Sequence, residues 1–478
     1  MRSPNVSGMA IICRVRRGAR RALTVAERGL DAAGVAGRRA GRAVRHARAS
    51  YRPAMRLATA ACVLVTALAL AAQGGGPGTA GPCGDPGPQA RAAAPWYLES
   101  FAPDGTITRT RALPAGMVSS GITGLPASAT PIHGATTANR FTVVFVGDGY
   151  TAEQAPEFAQ QVDALWRTLL ATQPFDAYAP YLAAYRVDIA APGSGVSDDP
   201  ARPAKTPSPL GMHYRCQGVE RLLCADDATV GSYAALAPAQ DLVVAVANSS
   251  TYGGLASGRG TASVAGGVPE TAQILAHELG HSLGALGDEY ADPKDLGGHG
   301  EGGAEEPPFP NVTTVDTPTR LLQDKAKWWR WLDTSAISTY EGGLHQDTGY
   351  YRPTADSLMR SLGQPFNYPS AEALVKSLYG RVKPIDASSP SENVATRQNL
   401  TVTTVLPATS LEVSWAVDGA AVPALAGRTS ADTGALGLAP GTWHSVQASV
   451  RDTTVWVRDE AYRDDAMTQT VSWWVWGG

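Results

Sequence analysis

Two histidines four residues apart, in the run His277-Glu278-Leu279-Gly280-His281, dictate a helix before anything else is read. That spacing puts both imidazoles on one helical face, one turn apart, where they can share a metal ion. Glu278 between them is the carboxylate that such sites use as base for a zinc-activated water. With eight histidines in 478 residues, a chance match is on the order of one in a hundred. At about 100° per residue, His277 and His281 fall within roughly 40° of each other. Leu275, Leu279, Leu283 and Leu286 gather on the other side, so one face packs and the other carries ligands. The residues imply hydrolytic chemistry with one catalytic Zn2+.

Catalytic zinc sites take three protein ligands and leave the fourth place to water. The chain continues Ser282-Leu283-Gly284-Ala285-Leu286-Gly287-Asp288-Glu289-Tyr290. An unbroken helix would carry Asp288 about 10 Å beyond His281, so the chain must bend back. Gly284 and Gly287 predict that bend, with φ > 0. Asp288 is the first choice for third ligand and Glu289 the reserve.

Charge is unevenly spread. Residues 1–56 hold 14 arginines against Glu27 and Asp31, leaving 26 basic and 41 acidic side chains in the rest. An acidic body argues against a nucleic-acid partner. The apolar run 57–72 is short for a bilayer span and suits a signal-peptide core, with small residues at Ala69, Ala71 and Ala72 for cleavage. Met55 is an alternative start of translation. The expectation is a secreted or extracellular protein, membrane-anchored by residues 57–72 only if that segment stays uncleaved. Cys13 and Cys62 precede the cleavage region and Cys83 lies in a linker. In an oxidising compartment Cys216 and Cys224 pair as a disulfide.

Four segments follow: 1–72, the basic stretch and signal peptide or anchor; 73–135, a linker and short N-terminal strands; 136–388, the catalytic domain; and 389–478, a β-sandwich. The apolar run Phe141–Val146 predicts a strand buried on both faces. After Thr151, which can cap a helix, Phe158, Val162, Leu165, Trp166 and Leu169 mark a buried helical face. Tyr185–Ile189 and Asp241–Val246 read as further strands. This order predicts an α/β fold with a mixed, largely parallel sheet. Tyr252-Gly253-Gly254 is either an edge that pairs with a substrate backbone or a mobile loop. Lys327-Trp328-Trp329-Arg330-Trp331 reads as core packing. Short alternating runs after about residue 390, between Gly and Pro turns, predict the sandwich.

The chain resembles the bacterial IgA-peptidase-type family of zinc metallopeptidases. The resemblance rests on Val146-Gly147-Asp148-Gly149-Tyr150-Thr151, Pro174-Phe175, Ser194-Gly195-Val196-Ser197, Tyr252-Gly253-Gly254, and His277–His281 with Leu286–Tyr290. It spans about residues 140–380, and the β-rich tail is similar to that family's C-terminal domain. It implies a metzincin-like catalytic domain with Met359, in Ser357-Leu358-Met359-Arg360, as the methionine-turn floor. The spacing departs from HExxHxxGxxH because Gly287 stands where a third histidine would be. The expected activity is a secreted metalloendopeptidase with a protein or peptide substrate, Glu278 as general base, and Tyr350 or Tyr351 assisting at the oxyanion. Nothing in these residues encodes immunoglobulin A as that substrate. The alternatives are a catalytically silent extracellular binding protein and a zinc hydrolase of a non-peptide amide.

Overall fold

The structure, a computed structural model, describes residues 97–111, 121–134, 136–202, 205–256, 261–291, 305–391, 394–395, 398–405 and 410–478. The basic segment, the apolar run 57–72, the linker to residue 95, Cys13, Cys62 and Cys83 lie outside those residues. The described residues fall within one unit, Ala93–Gly478. Among them, no helix is long and apolar enough to cross a membrane.

The first strands are β1 (Tyr97–Phe101) and β2 (Ile107–Arg111), an antiparallel hairpin that forms a sheet of its own. The main sheet contains β3 (Ala127–His133), β4 (Phe141–Asp148), β5 (Leu182–Ile189), β6 (Leu242–Ala247), β7 (Gly254–Ala256) and β8 (Thr261–Ala265), in the order β3-β5-β4-β6-β8-β7. The inner strands β5, β4, β6 and β8 run parallel, and an antiparallel strand closes each edge. All eight residues of β4 are buried, as expected of a strand covered on both faces.

Successive side chains of β4 alternate between two apolar layers. Val143 and Phe145 meet helix α1 (Ala155–Leu170), while Val144 and Val146 meet Leu210, Met212, Tyr214 and Val230. Val230 belongs to α2 (Asp227–Ala234). The buried residues of α1 are Phe158, Val162, Leu165, Trp166 and Leu169, the five that periodicity predicted. Thr151 precedes a short 3-10 turn, Ala152–Gln154, so α1 itself begins at Ala155 with Pro156 in its first turn. Proline fits there because those N–H groups have no partner inside the helix.

The helix carrying both histidines, α3 (Thr271–Ser282), follows β8 directly and packs beside α1 on the same face of the sheet. Next come the β9 (Tyr340–Gly343) and β10 (Gln346–Arg352) hairpin and α4 (Tyr368–Arg381). Trp328 and Trp331 bury themselves against Leu321 and Ile337.

The remaining strands are β11 (Ile385–Ser389), β12 (Val394–Ala395), β13 (Asn399–Thr404), β14 (Leu411–Val417), β15 (Ala420–Ala421), β16 (Ser430–Asp432), β17 (Trp443–Asp452) and β18 (Thr468–Trp476). They form two sheets, β11-β13-β16 and β12-β18-β17-β14-β15. Inward residues of both, including Leu400, Val402, Val413, Trp415 and Val446, share one core with the main sheet. Tyr178 and Tyr379 both donate to Asp452 Oδ2, at 2.7 and 2.5 Å, tying β17 to the body.

Candidate metal centre

Helix α3 is anchored at its start by Thr271, whose hydroxyl bridges Val268 O and Ala265 O at 2.7 and 3.0 Å. His277 and Glu278 are buried and His281 is half-buried. Each imidazole uses its Nδ1–H on a backbone carbonyl. His277 donates to Leu358 O at 3.0 Å and His281 to Leu286 O at 2.8 Å. Those bonds fix the tautomer and turn both Nε2 lone pairs inward, where the two nitrogens stand 3.0 Å apart.

Two carboxylates converge on the same point. Asp288 Oδ1 lies 3.5 Å from His277 Nε2 and 3.2 Å from His281 Nε2. Glu99 Oε2 lies 3.3 and 3.8 Å from the same atoms. Ligands about 2.0–2.1 Å from a tetrahedral zinc would be about 3.3 Å apart, so this donor set fits a divalent cation. Glu99 Oε2, Asp288 Oδ1 and Glu278 Oε1 are all buried without a hydrogen-bond partner among the described residues. Buried carboxylate oxygens in that state are costly unless a cation satisfies them. Burial works against a charged imidazole, yet Asp288 and Glu99 outweigh it and raise His277 to about 10. The same negative field attracts a metal ion. Burial, then the Glu99 charge, pushes Glu278 up to about 7.

The turn after α3 differs from expectation. The residue at positive φ is Ala285 (φ 48), not Gly284 or Gly287. The glycines are required for space instead. A Cβ on Gly284 would come within 2.9 Å of Gly280 O, and one on Gly287 within 2.8 Å of Phe309 and Leu344. This turn aims Asp288 at the histidines. His345 Nε2 holds the other oxygen, Oδ2, at 3.2 Å. Glu289 points elsewhere and accepts from Asn311, Ser357 and Asn367.

Met359 is fully buried beneath α3. A Cβ on Gly280 would sit 2.4 Å from its sulfur, so glycine lets the methionine pack directly below the histidines. The two tyrosines of β10, expected to assist at the oxyanion, are half-buried in the β9–β10 hairpin. Tyr351 donates its hydroxyl to Glu341 at 3.4 Å, and among the described residues neither Tyr350 nor Tyr351 hydrogen-bonds to the cluster. The tyrosine that reaches the centre is Tyr290, which donates to Glu99 Oε1 at 2.6 Å.

Tyr252 and Gly253 lead into edge strand β7, which begins at Gly254. Side chains at either glycine would meet Tyr214 (2.6 Å) or Ile274 (3.0 Å). Cys216 and Cys224 are disulfide-bonded, and Leu222 between them bridges to Gly254.

The family model described as IgA Peptidase M64 matches residues 131–338. Over that segment the chain is similar to the IgA-peptidase-type metallopeptidases. That similarity supports a peptidase, the class of enzyme that acts on protein or peptide substrates. The matched segment includes His277, Glu278, His281, Asp288 and Tyr290, while Glu99, His345 and Met359 lie outside it. No curated protein matches the chain significantly.

Three residues of the centre escaped the sequence. Glu99 and His345 come from hairpins far away along the chain, with no local periodicity to mark them. Tyr290 directly follows Glu289, and its adjacency to the carboxylate pair was a usable signal.

Proposed function

We propose that this chain is a secreted zinc-dependent metalloendopeptidase with a metzincin-like catalytic domain and a C-terminal β-sandwich. The observation that carries it is the pair of inward Nε2 atoms, fixed by backbone carbonyls and flanked by Asp288 Oδ1, with the Glu278 carboxylate on the same helix. His277, His281 and Asp288 would hold the ion, and Met359 forms the floor beneath it. When bound, zinc supplies Lewis acidity that acidifies a water and polarises a peptide carbonyl.

Glu278 accepts the proton of the attacking water and returns it to the leaving amine. Its elevated pKa, at about 7, suits both halves of that transfer. A tyrosine hydroxyl steadies the developing oxyanion, with Tyr290, whose hydroxyl reaches Glu99, joining Tyr350 and Tyr351 as candidates for it. Strand β7 and the preceding Tyr252-Gly253 offer backbone groups for an extended substrate.

The test is cleavage profiling of a mixed peptide library with the wild type and Glu278→Ala, both loaded with zinc. Loss of about 10²–10⁴-fold in turnover with metal retained is the expected result. Full zinc-dependent activity in Glu278→Ala would overturn the mechanism.

A further inference from the structure

A zinc site that catalyses keeps one place open, whereas four protein ligands close it. Glu99 is a fourth donor at this centre. It arrives on β1, outside the segment that the family model matches. The carboxylate meets the two imidazoles that would hold the metal and a tyrosine that the peptidase reading offers to the oxyanion. Its Oε2 joins the histidine nitrogens, and its Oε1 takes the Tyr290 hydroxyl at 2.6 Å. Glu278 lies beside it, with Oε1 buried and unpaired.

The strand follows a path that suits a peptide. It lies against edge strand β7. Tyr252 donates its hydroxyl to Ala102 O at 3.3 Å, and the Phe101 ring stands edge-on to His277 with centroids 5.6 Å apart. Its turn is docked on the loop after Met359, where Leu362 N donates to Gly105 O at 3.0 Å.

Side chains hold this hairpin in place more than strand pairing does. Phe101 and Ile107 are 1% and 4% exposed. Among the described residues, β1 and β2 pair as strands only with each other, apart from an isolated bridge between Thr106 and Ser361. The hairpin can therefore withdraw without breaking a ladder of the main sheet.

We propose that Glu99 is a removable fourth ligand, and that the β1–β2 hairpin is an autoinhibitory segment lying in the substrate cleft. This rests on the peptidase reading of the same centre. Withdrawal of the hairpin would take the Glu99 carboxylate away from His277 and His281 and open the place beside Glu278. The remaining donors, His277, His281 and Asp288, are those of an open catalytic site.

The experiment uses the full chain as wild type, Glu99→Ala and Glu99→Gln, each loaded with cobalt(II) or zinc. Acetohydroxamate is titrated into the cobalt proteins and followed by their visible spectra; hydrolysis of a fluorogenic peptide mixture is followed with zinc. Expected are a wild-type spectrum that barely responds, and hydroxamate binding at least about tenfold tighter in Glu99→Ala. Glu99→Gln, which preserves side-chain volume and an acceptor for Tyr290, should fall between them. Zinc should be retained and hydrolysis should rise by a similar factor. If zinc affinity and hydrolysis fall together in both variants, Glu99 is a permanent ligand and the proposal is wrong. Equal hydroxamate binding by all three proteins also overturns it. If hydroxamate binding opens as expected but no form cleaves peptide, the closed centre stands and the peptidase reading fails.

Discussion

Ser357 donates its hydroxyl to Glu289 Oε2 at 2.7 Å, joining the turn that carries Met359 to the loop that follows the histidine helix. The backbone strengthens the link, since Glu289 N donates to Met359 O at 2.8 Å. Asn311 and Asn367 complete the set of donors on the carboxylate. Glu289 is thus spent on structure, and its neighbour Asp288 faces the histidines.

Exchanging these two neighbours for alanine should separate the roles. Glu289→Ala leaves Ser357 and two buried amides without an acceptor and should cost about 3 kcal/mol of stability. It should keep measurable zinc binding. Asp288→Ala should instead lose zinc affinity by more than about a hundredfold, with a smaller stability change at saturating metal. Denaturation midpoints and competition with a zinc chelator check both.

His345 acts through Asp288, to which it lies 3.2 Å away. His345→Ala should weaken zinc binding by about 10–100-fold without removing a ligand. Chelator competition reads this directly. An unchanged affinity would mean that the Asp288 carboxylate holds its orientation by itself.

Gly149 has φ +73, and a Cβ there would lie 2.2 Å from Gly195 O. Both the left-handed conformation and a backbone clash oppose any side chain. Gly149→Ala should destabilise the protein by about 3 kcal/mol or more, because neither partner is the tip of a flexible side chain. Urea unfolding measures it.

Asp148 in the same turn is buried and accepts from Ser208 Oγ, Leu210 N and Met212 N. Burial outweighs these bonds and raises its pKa from 3.8 to about 6. Between those values the folded state holds more protons than the unfolded chain, so stability falls as pH rises through that window. Relative to Asp148→Asn, the wild type should lose up to about 3 kcal/mol between pH 4 and 6.5. Urea midpoints that run parallel for the two proteins across that range would contradict the shift.

What the sequence determined by itself is local. The helical face carrying His277 and His281, the five buried residues of α1, and the buried strands around β4 all follow from spacing, because period and turn chemistry act over a few residues. The alternating runs after residue 390 are legible for the same reason. Tertiary structure decided everything that depends on convergence. Which of Asp288 and Glu289 faces the histidines turns on Ala285 at φ 48 and on donors from Asn311, Ser357 and Asn367. Glu99 and His345 reach the centre from separate hairpins. A side chain's neighbours across such distances are set by packing of whole elements, which leaves no periodic trace in the chain around it.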